Sequence, residues 1–185
     1  MNAEARWMFE RYGVERVDEV EPIVRALYAE VYAEAPYNET AESVAAWIAG
    51  PWARQRAMAG FAVVVARARE GQPAGMGYGV ALPVGSRWWA GLPSPLPLDE
   101  AREDGKRTFV IMEFVVRSGF RRDGLGSALH DALVGPWRGE RTALTARQDA
   151  PGALAFWSAQ GYRSLGPSVP RESGPRFETF VRSVD

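Results

Sequence analysis

Six consecutive residues, Arg121-Arg122-Asp123-Gly124-Leu125-Gly126, carry the densest chemistry in this sequence. Leu125, Leu129, Ala132 and Leu133 recur at helical spacing, so the glycines fall where a helix begins. The first N–H groups of a helix lack intrahelical partners and carry the positive end of its dipole. A phosphate fits there, because two glycines let the backbone approach a bulky anion while Arg121 and Arg122 can pair with its oxygens. The same spacing also suits an ordinary strand-to-helix turn with two surface arginines. A second candidate is Glu113, whose carboxylate stands in an apolar run with parity opposite to Phe114 and Val116. In such surroundings a carboxylate pKa rises, and the group can act as a base through a water; it can equally be a glutamate paired with an arginine of a neighbouring strand. His130, the sole histidine, follows Leu129 on the same helix, a position that suits a surface residue better than a catalytic one.

These residues need elements to hold them. Phe109 to Val116 is an apolar, β-branched and aromatic run that predicts a buried strand, followed by a turn at Ser118-Gly119, the glycine loop, and a helix closed by Gly135 in the C′ position with Pro136 beyond. Upstream, Asp18-x-x-Glu21 predicts a capping box with Pro22 in the first turn, and Val20, Val24, Leu27 and Val31 predict an amphipathic helix over 18–34. Ala35-Pro36-Tyr37-Asn38 breaks it, and Thr40 caps a second helix with Val44, Trp47 and Ile48 on its apolar side, ending near Gly50-Pro51 or continuing weakly to Gln55. Strands at 61–68 and 74–82 flank a turn at Glu70-Gly71-Gln72-Pro73. Gly75-x-Gly77-x-Gly79 is no dinucleotide fingerprint, since no helix follows; alternating glycines on a strand allow close backbone packing or a bulge.

Residues 84–107, rich in proline and glycine, predict a long loop. Trp88-Trp89 would expose too much apolar surface in a disordered linker, so the loop is expected to fold against the domain, over a substrate site, over a subunit partner, or as a plug at the core edge. Arg141 to Arg147 predicts a strand, Asp149-Ala150-Pro151 opens a helix carrying Leu154, Phe156 and Trp157 that Gly161 stops, and 162–165 and 177–184 predict two closing strands. In the last of these, Phe177, Thr179 and Val181 alternate with Glu178, Phe180 and Arg182. This order of elements argues for an α/β sheet with helices on both faces.

A chain of 185 residues with 46% hydrophobic content is sufficient for one well-buried domain, read here as residues 1–185. With 22 basic and 23 acidic residues and no dense basic run, it offers no field that favours nucleic acid. Lys106 is the only lysine, which points to a GC-rich coding sequence more than to a function. Cysteine is absent, which excludes disulfides, thiolate metal sites and a cysteine nucleophile, and the lack of a Gly-x-Ser-x-Gly motif argues against a hydrolase. The first residues hold charges throughout without an apolar h-region, and no 18-residue apolar run occurs, so the chain reads as a cytoplasmic protein without a membrane partner.

Glu113-Phe114-x-Val116, followed five residues later by Arg121-x-x-Gly124-x-Gly126, resembles the acetyl-CoA-binding segment of the GCN5-related N-acetyltransferases. The helix Ala153-Leu154-Ala155-Phe156-Trp157-x-x-x-Gly161-Tyr162 is similar to the family's Ala-x-x-Leu-Tyr-x-x-x-Gly-Phe helix. The element order also matches once a short first strand is placed near residues 7–14. The resemblance implies a mixed, largely antiparallel central sheet of six to seven strands flanked by about four helices. It implies acetyl-CoA as cosubstrate without a metal, the backbone of Phe114, Val115 and Val116 bonding the pantetheine arm, and Arg121, Arg122, Asp123, Gly124, Leu125, Gly126 and Ser127 holding the pyrophosphate, with Phe156 and Trp157 as further contacts. It implies acetyl transfer to an amine by direct attack and an acceptor near Tyr37, Asn38, Glu39 and Trp88-Trp89; Glu113, from its place on the central strand, is the candidate base. Those aromatics favour a small, partly apolar amine over a polycation. Two positions depart from the pattern. Trp157 occupies the place of the tyrosine that protonates the departing thiolate, and an indole can donate a hydrogen bond but cannot act as an acid; Ala150 replaces a frequent asparagine. A protein or peptide acceptor, a non-catalytic acyl-CoA-binding domain, and a homodimer formed through the 84–107 loop are the alternatives.

Overall fold

Among the described residues, seven strands form one sheet in the order β1-β2-β3-β4-β5-β7-β6. The computed structural model describes residues 6–168 and 174–184. The chain divides into two compact units, Met1–Val80 with Glu113–Pro136, and Ala81–Met112 with Trp137–Asp185.

The first unit opens with β1 (Trp7–Tyr12), antiparallel to β2 (Ala62–Ala68), which pairs antiparallel with β3 (Pro73–Ala81). Between them lie α1 (Val17–Tyr32) and α2 (Ala41–Trp47). The apolar stripe of α1 is buried as its spacing predicts, at Val17, Val20, Val24, Leu27, Tyr28 and Val31. Its start differs from the sequence reading: a 3-10 turn, Val14–Arg16, leads directly into the helix, the N-cap is Arg16 without a side-chain bond, and Pro22 lies in the second turn. Asp18 and Glu21 therefore form no capping box. Both accept from Arg56 Nη1, at 2.7 and 2.9 Å, and Glu21 also takes the Trp52 indole N–H at 2.8 Å. Thr40 does cap α2, exchanging bonds with Ser43 in a capping box. The helix then widens through a π turn, Ile48–Trp52, around Pro51, and ends in α3 (Ala53–Gln55).

The glycines of β3 serve close approach. A Cβ on Gly75 would lie 2.7 Å from the Val115 carbonyl oxygen, and one on Gly77 2.7 Å from the Phe114 ring. β4 spans Thr108–Val116; its first five residues belong to the second unit and Glu113–Val116 to the first. α5 (Leu125–Val134) buries Leu125, Leu129, His130 and Leu133. Gly135 is its C-cap, in right-handed conformation (φ −55°), and so is not the left-handed C′ residue that the sequence suggests. A Cβ there would stand 2.6 Å from the Asp131 carbonyl, which accounts for the glycine.

In the second unit β4 pairs in parallel with β5 (Arg141–Arg147), and this pairing covers only Thr108–Val110. β7 (Phe177–Ser183) lies antiparallel between β5 and β6 (Arg163–Pro167). Because β7 is interior, Thr179, Phe180 and Val181 are all buried, in place of the simple alternation that its sequence predicts. α6 (Pro151–Ala159) starts on Pro151 and is stopped by Gly161 at φ +82°. The 84–107 segment folds back as expected: a 3-10 turn, Trp88–Gly91, and α4 (Leu98–Ala101) break it up, and Trp89 and Leu92 join Leu82, Val110, Ala143 and Val181 in one core cluster.

Candidate active site

In the first unit, the Tyr32 hydroxyl donates to Glu113 Oε2 at 2.7 Å. Burial pushes the Glu113 pKa up to about 7; the Tyr32 and Trp47 dipoles pull it down, and the charge of Glu39 raises it further. No arginine partner is found for this carboxylate among the described residues, and Oε1 accepts no protein hydrogen bond there. The Trp47 indole N–H, buried nearby, lies outside hydrogen-bond geometry to any described group.

An aromatic cage surrounds the carboxylate. Tyr28 stacks on Trp47 at 3.8 Å between centroids, meets Tyr32 edge-on at 4.5 Å, and Tyr32 meets Tyr37 at 4.6 Å. Tyr78 lies 6.3 Å from Trp47 and 5.0 Å from Trp52. The chain after α1 turns back through Asn38, at φ +52°, and the Glu39 amide donates to the Tyr32 carbonyl at 2.8 Å. Three of the residues singled out as acceptor walls, Tyr37, Asn38 and Glu39, thus gather beside Tyr32. Sequence reasoning missed Tyr32 itself. The signal was the Tyr28/Tyr32 pair at i, i+4 on the last turn of α1, which puts both rings on one face.

The glycine loop is exposed and turns through two left-handed residues, Arg122 at φ +59° and Gly124 at φ +80°. Gly124 is the N-cap of α5, with no side-chain cap bond and no atom within 4 Å of where a Cβ would sit. The first intrahelical bond runs from Ala128 to Gly124, so the N–H groups of Leu125, Gly126 and Ser127 precede the helical ladder. A backbone that carries no Cβ at its tip, followed by a helix N-terminus, fits a pyrophosphate. The two arginines differ. Arg121 donates to the Val116 carbonyl and pairs with Glu34, both at 2.7 Å, whereas Arg122 is exposed and unpaired among the described residues. Asp123 pairs with Arg6. Arg117, at the head of the same loop, pairs with Glu30 at 2.8 Å.

In the second unit, Trp157 is buried with its ring edge-on to Phe156 and Tyr162, at 4.9 and 5.4 Å. The Tyr162 hydroxyl bonds Thr142 at 2.8 Å, and burial pushes its pKa up to about 12. Trp89, considered as an acceptor wall, is instead core: its N–H donates to Glu103 Oε1 at 2.7 Å and the Arg141 guanidinium lies 4.6 Å from its ring centre. His130 corrects the surface reading, because it is fully buried on the inner face of α5. Asp149, beside Ala150, pairs with Arg147 at 2.6 Å. Among the described residues no group of three His, Cys, Asp or Glu could hold a metal, and no helix is long and apolar enough to cross a membrane.

The family described as Acetyltransferase (GNAT) matches residues 17–162. No curated protein matches the sequence. Among solved structures, the chain resembles Ard1 from Thermoplasma volcanium at 18% identity, TM-score 0.58, over 97% of this chain and 99% of that one. It also resembles the ribosomal-protein-alanine N-acetyltransferase from Brucella melitensis (18% identity, TM-score 0.59, 96% and 99% covered). A third is the spermidine/spermine N-acetyltransferase from Vibrio cholerae (7% identity, TM-score 0.58, 96% and 94% covered). At these identities the likeness is one of fold.

Proposed function

Because the chain belongs to the GNAT acetyltransferase family, we propose that it transfers an acetyl group from acetyl-CoA to the primary amine of a small molecule, by direct attack, with Glu113 as general base. The observation that carries this reading is the state of Glu113: a carboxylate with no cation beside it, a pKa raised to about 7, and one oxygen free of protein donors. Such a group can take a proton at neutral pH, where an ordinary surface glutamate is too weak a base.

Acetyl-CoA would be held by the backbone of Phe114, Val115 and Val116 and by Arg121 to Ser127. Within the loop, Arg122 is the charge available to phosphate without breaking an existing ion pair. When bound, acetyl-CoA supplies a thioester carbonyl for the amine to attack and a thiol as leaving group. Glu113 removes the proton that the amine must lose, directly or through one water. A thiolate with an ordinary pKa of about 8.5 can leave without an acid. The amine would approach past Tyr37, Asn38 and Glu39. Two carboxylates and several rings there favour an amine with an apolar body over one that carries its own carboxylate.

The test is calorimetric titration of acetyl-CoA into the full chain and into Gly124→Glu. Micromolar binding that the variant loses is expected, because a side chain at φ +80° is strained and its charge opposes the pyrophosphate. Thiol release across a panel of arylalkyl amines, amino acids, polyamines and peptides then finds the acceptor. Absence of binding to the unaltered protein removes the cofactor site, and a polyamine preference removes the small apolar amine.

A further inference from the structure

Tyr32 is the last residue of α1, one turn beyond Tyr28. Its ring is held between Tyr28 and Tyr37, at 4.5 and 4.6 Å, and its carbonyl is tied to the Glu39 amide. A phenol gripped on both sides loses its choice of rotamers, so its hydroxyl is delivered to one place, Glu113 Oε2. The groups that face Glu113 are Tyr28 and Tyr32 of α1, Glu39 of the following segment, Trp47 of α2 and Tyr78 of β3; none is a cation. The Tyr32 hydroxyl is therefore the hydrogen bond of full geometry that this carboxylate receives among the described residues, while the Trp47 indole acts on it as a nearby dipole.

We propose that Tyr32 is the positioning residue of the base: it holds the Glu113 carboxylate by Oε2 and leaves Oε1 as the oxygen that takes the proton from the acceptor amine. The proposal rests on the reading of Glu113 as general base. In the step, an N–H bond of the attacking amine breaks, its electron pair stays on nitrogen, and the proton forms an O–H bond at Oε1. Tyr32 itself does not titrate in this range, because burial and the neighbouring Glu113 charge push its pKa well above the usual 10. A hydrogen bond to the ionised carboxylate favours that form, so deleting the hydroxyl must raise the pH at which Glu113 becomes a base.

The experiment is an infrared titration of the carboxylic acid carbonyl band in the full chain, taken as a difference against Glu113→Gln. It needs no acceptor. The unaltered protein should titrate near pH 7. Tyr32→Phe, which keeps the ring and its packing, should move that midpoint up by about one unit, the worth of one charge-assisted hydrogen bond. Tyr28→Phe, which deletes a neighbouring hydroxyl with no bond to Glu113, should leave it in place. A midpoint unmoved in Tyr32→Phe overturns the proposal. If that variant does not fold, difluorotyrosine incorporated at position 32 gives a stronger donor and should lower the midpoint; no change there overturns the proposal equally. Turnover of Glu113→Gln is read separately, and full activity in that variant removes the base reading whatever the infrared midpoint does.

Discussion

Two glutamates ten residues apart, Glu103 buried and Glu113 half-buried, are treated in opposite ways. Glu103 in the second unit is almost fully enclosed, and its Oε1 accepts from the Trp89 indole, the Thr108 hydroxyl and the Arg141 guanidinium, at 2.7, 2.8 and 2.8 Å. Glu113 in the first unit receives the Tyr32 hydroxyl, has only the neutral Trp47 indole as a further dipole, and faces a second carboxylate, Glu39. A carboxylate given three donors, one of them a guanidinium, fastens its surroundings; here it binds the 84–107 segment to β4 and β5. One that is denied a cation and partly desolvated holds its proton to higher pH, and so can exchange it under working conditions. The difference teaches that burial alone does not mark a base: what matters is the charge that accompanies it.

The comparison can be broken first at Glu113. Glu113→Gln should lower kcat by roughly 10²- to 10⁴-fold while leaving acetyl-CoA affinity unchanged, the usual worth of a positioned base; measured thiol release with unaltered calorimetric binding checks it. At Glu103 the loss should be of stability. Glu103→Gln leaves Arg141 buried without its counter-charge, which costs about 3 kcal/mol and lowers the thermal midpoint by roughly 6 to 12 °C in a chain of this size. Activity per folded molecule should persist, and a midpoint unchanged from wild type would show that Glu103 is not the fastening that its contacts suggest.

A third effect is smaller and concerns pH. The Glu113 pKa is raised on folding, so between its ordinary value of 4.5 and about 7 the folded state binds more protons than the unfolded one. Its stabilisation is therefore complete below pH 4.5 and is lost as pH rises through 7, by roughly 2 to 3 kcal/mol. Denaturant unfolding at pH 4.5 and pH 8 should show this fall, and Glu113→Gln should lack that part of it. The smallest effect is at Glu34, whose exposed pairing with Arg121 is worth well under 1 kcal/mol. Glu34→Gln should leave stability nearly unchanged and tighten acetyl-CoA binding by about two- to fivefold, because a freed guanidinium can turn to phosphate.

Much of the fold was legible because local signals were strong. The strand at 141–147, the cap at Thr40, the stop at Gly161 and the close-packing glycines of β3 each follow from a rule that needs only neighbouring residues. The start of α1 was misread because a 3-10 turn ahead of Val17 moved the helix N-terminus, and with it the roles of Asp18 and Glu21. The burial of His130 and the all-buried centre of β7 were hidden for another reason: each depends on what covers a second face, and that partner is distant in the chain.

The sequence by itself determined the family, the loop whose glycines and helix start suit a pyrophosphate, and Glu113 as the candidate base, because these reside in spacings of a few residues. Only the tertiary structure decided that Arg121 is engaged by Glu34 and Val116 while Arg122 is not. It alone decided that Trp89 belongs to the core, and that Tyr32, 81 positions from Glu113, holds its carboxylate. A pKa is set by every dipole and charge within a few ångströms, and no local pattern in the chain records which distant residues folding will bring there.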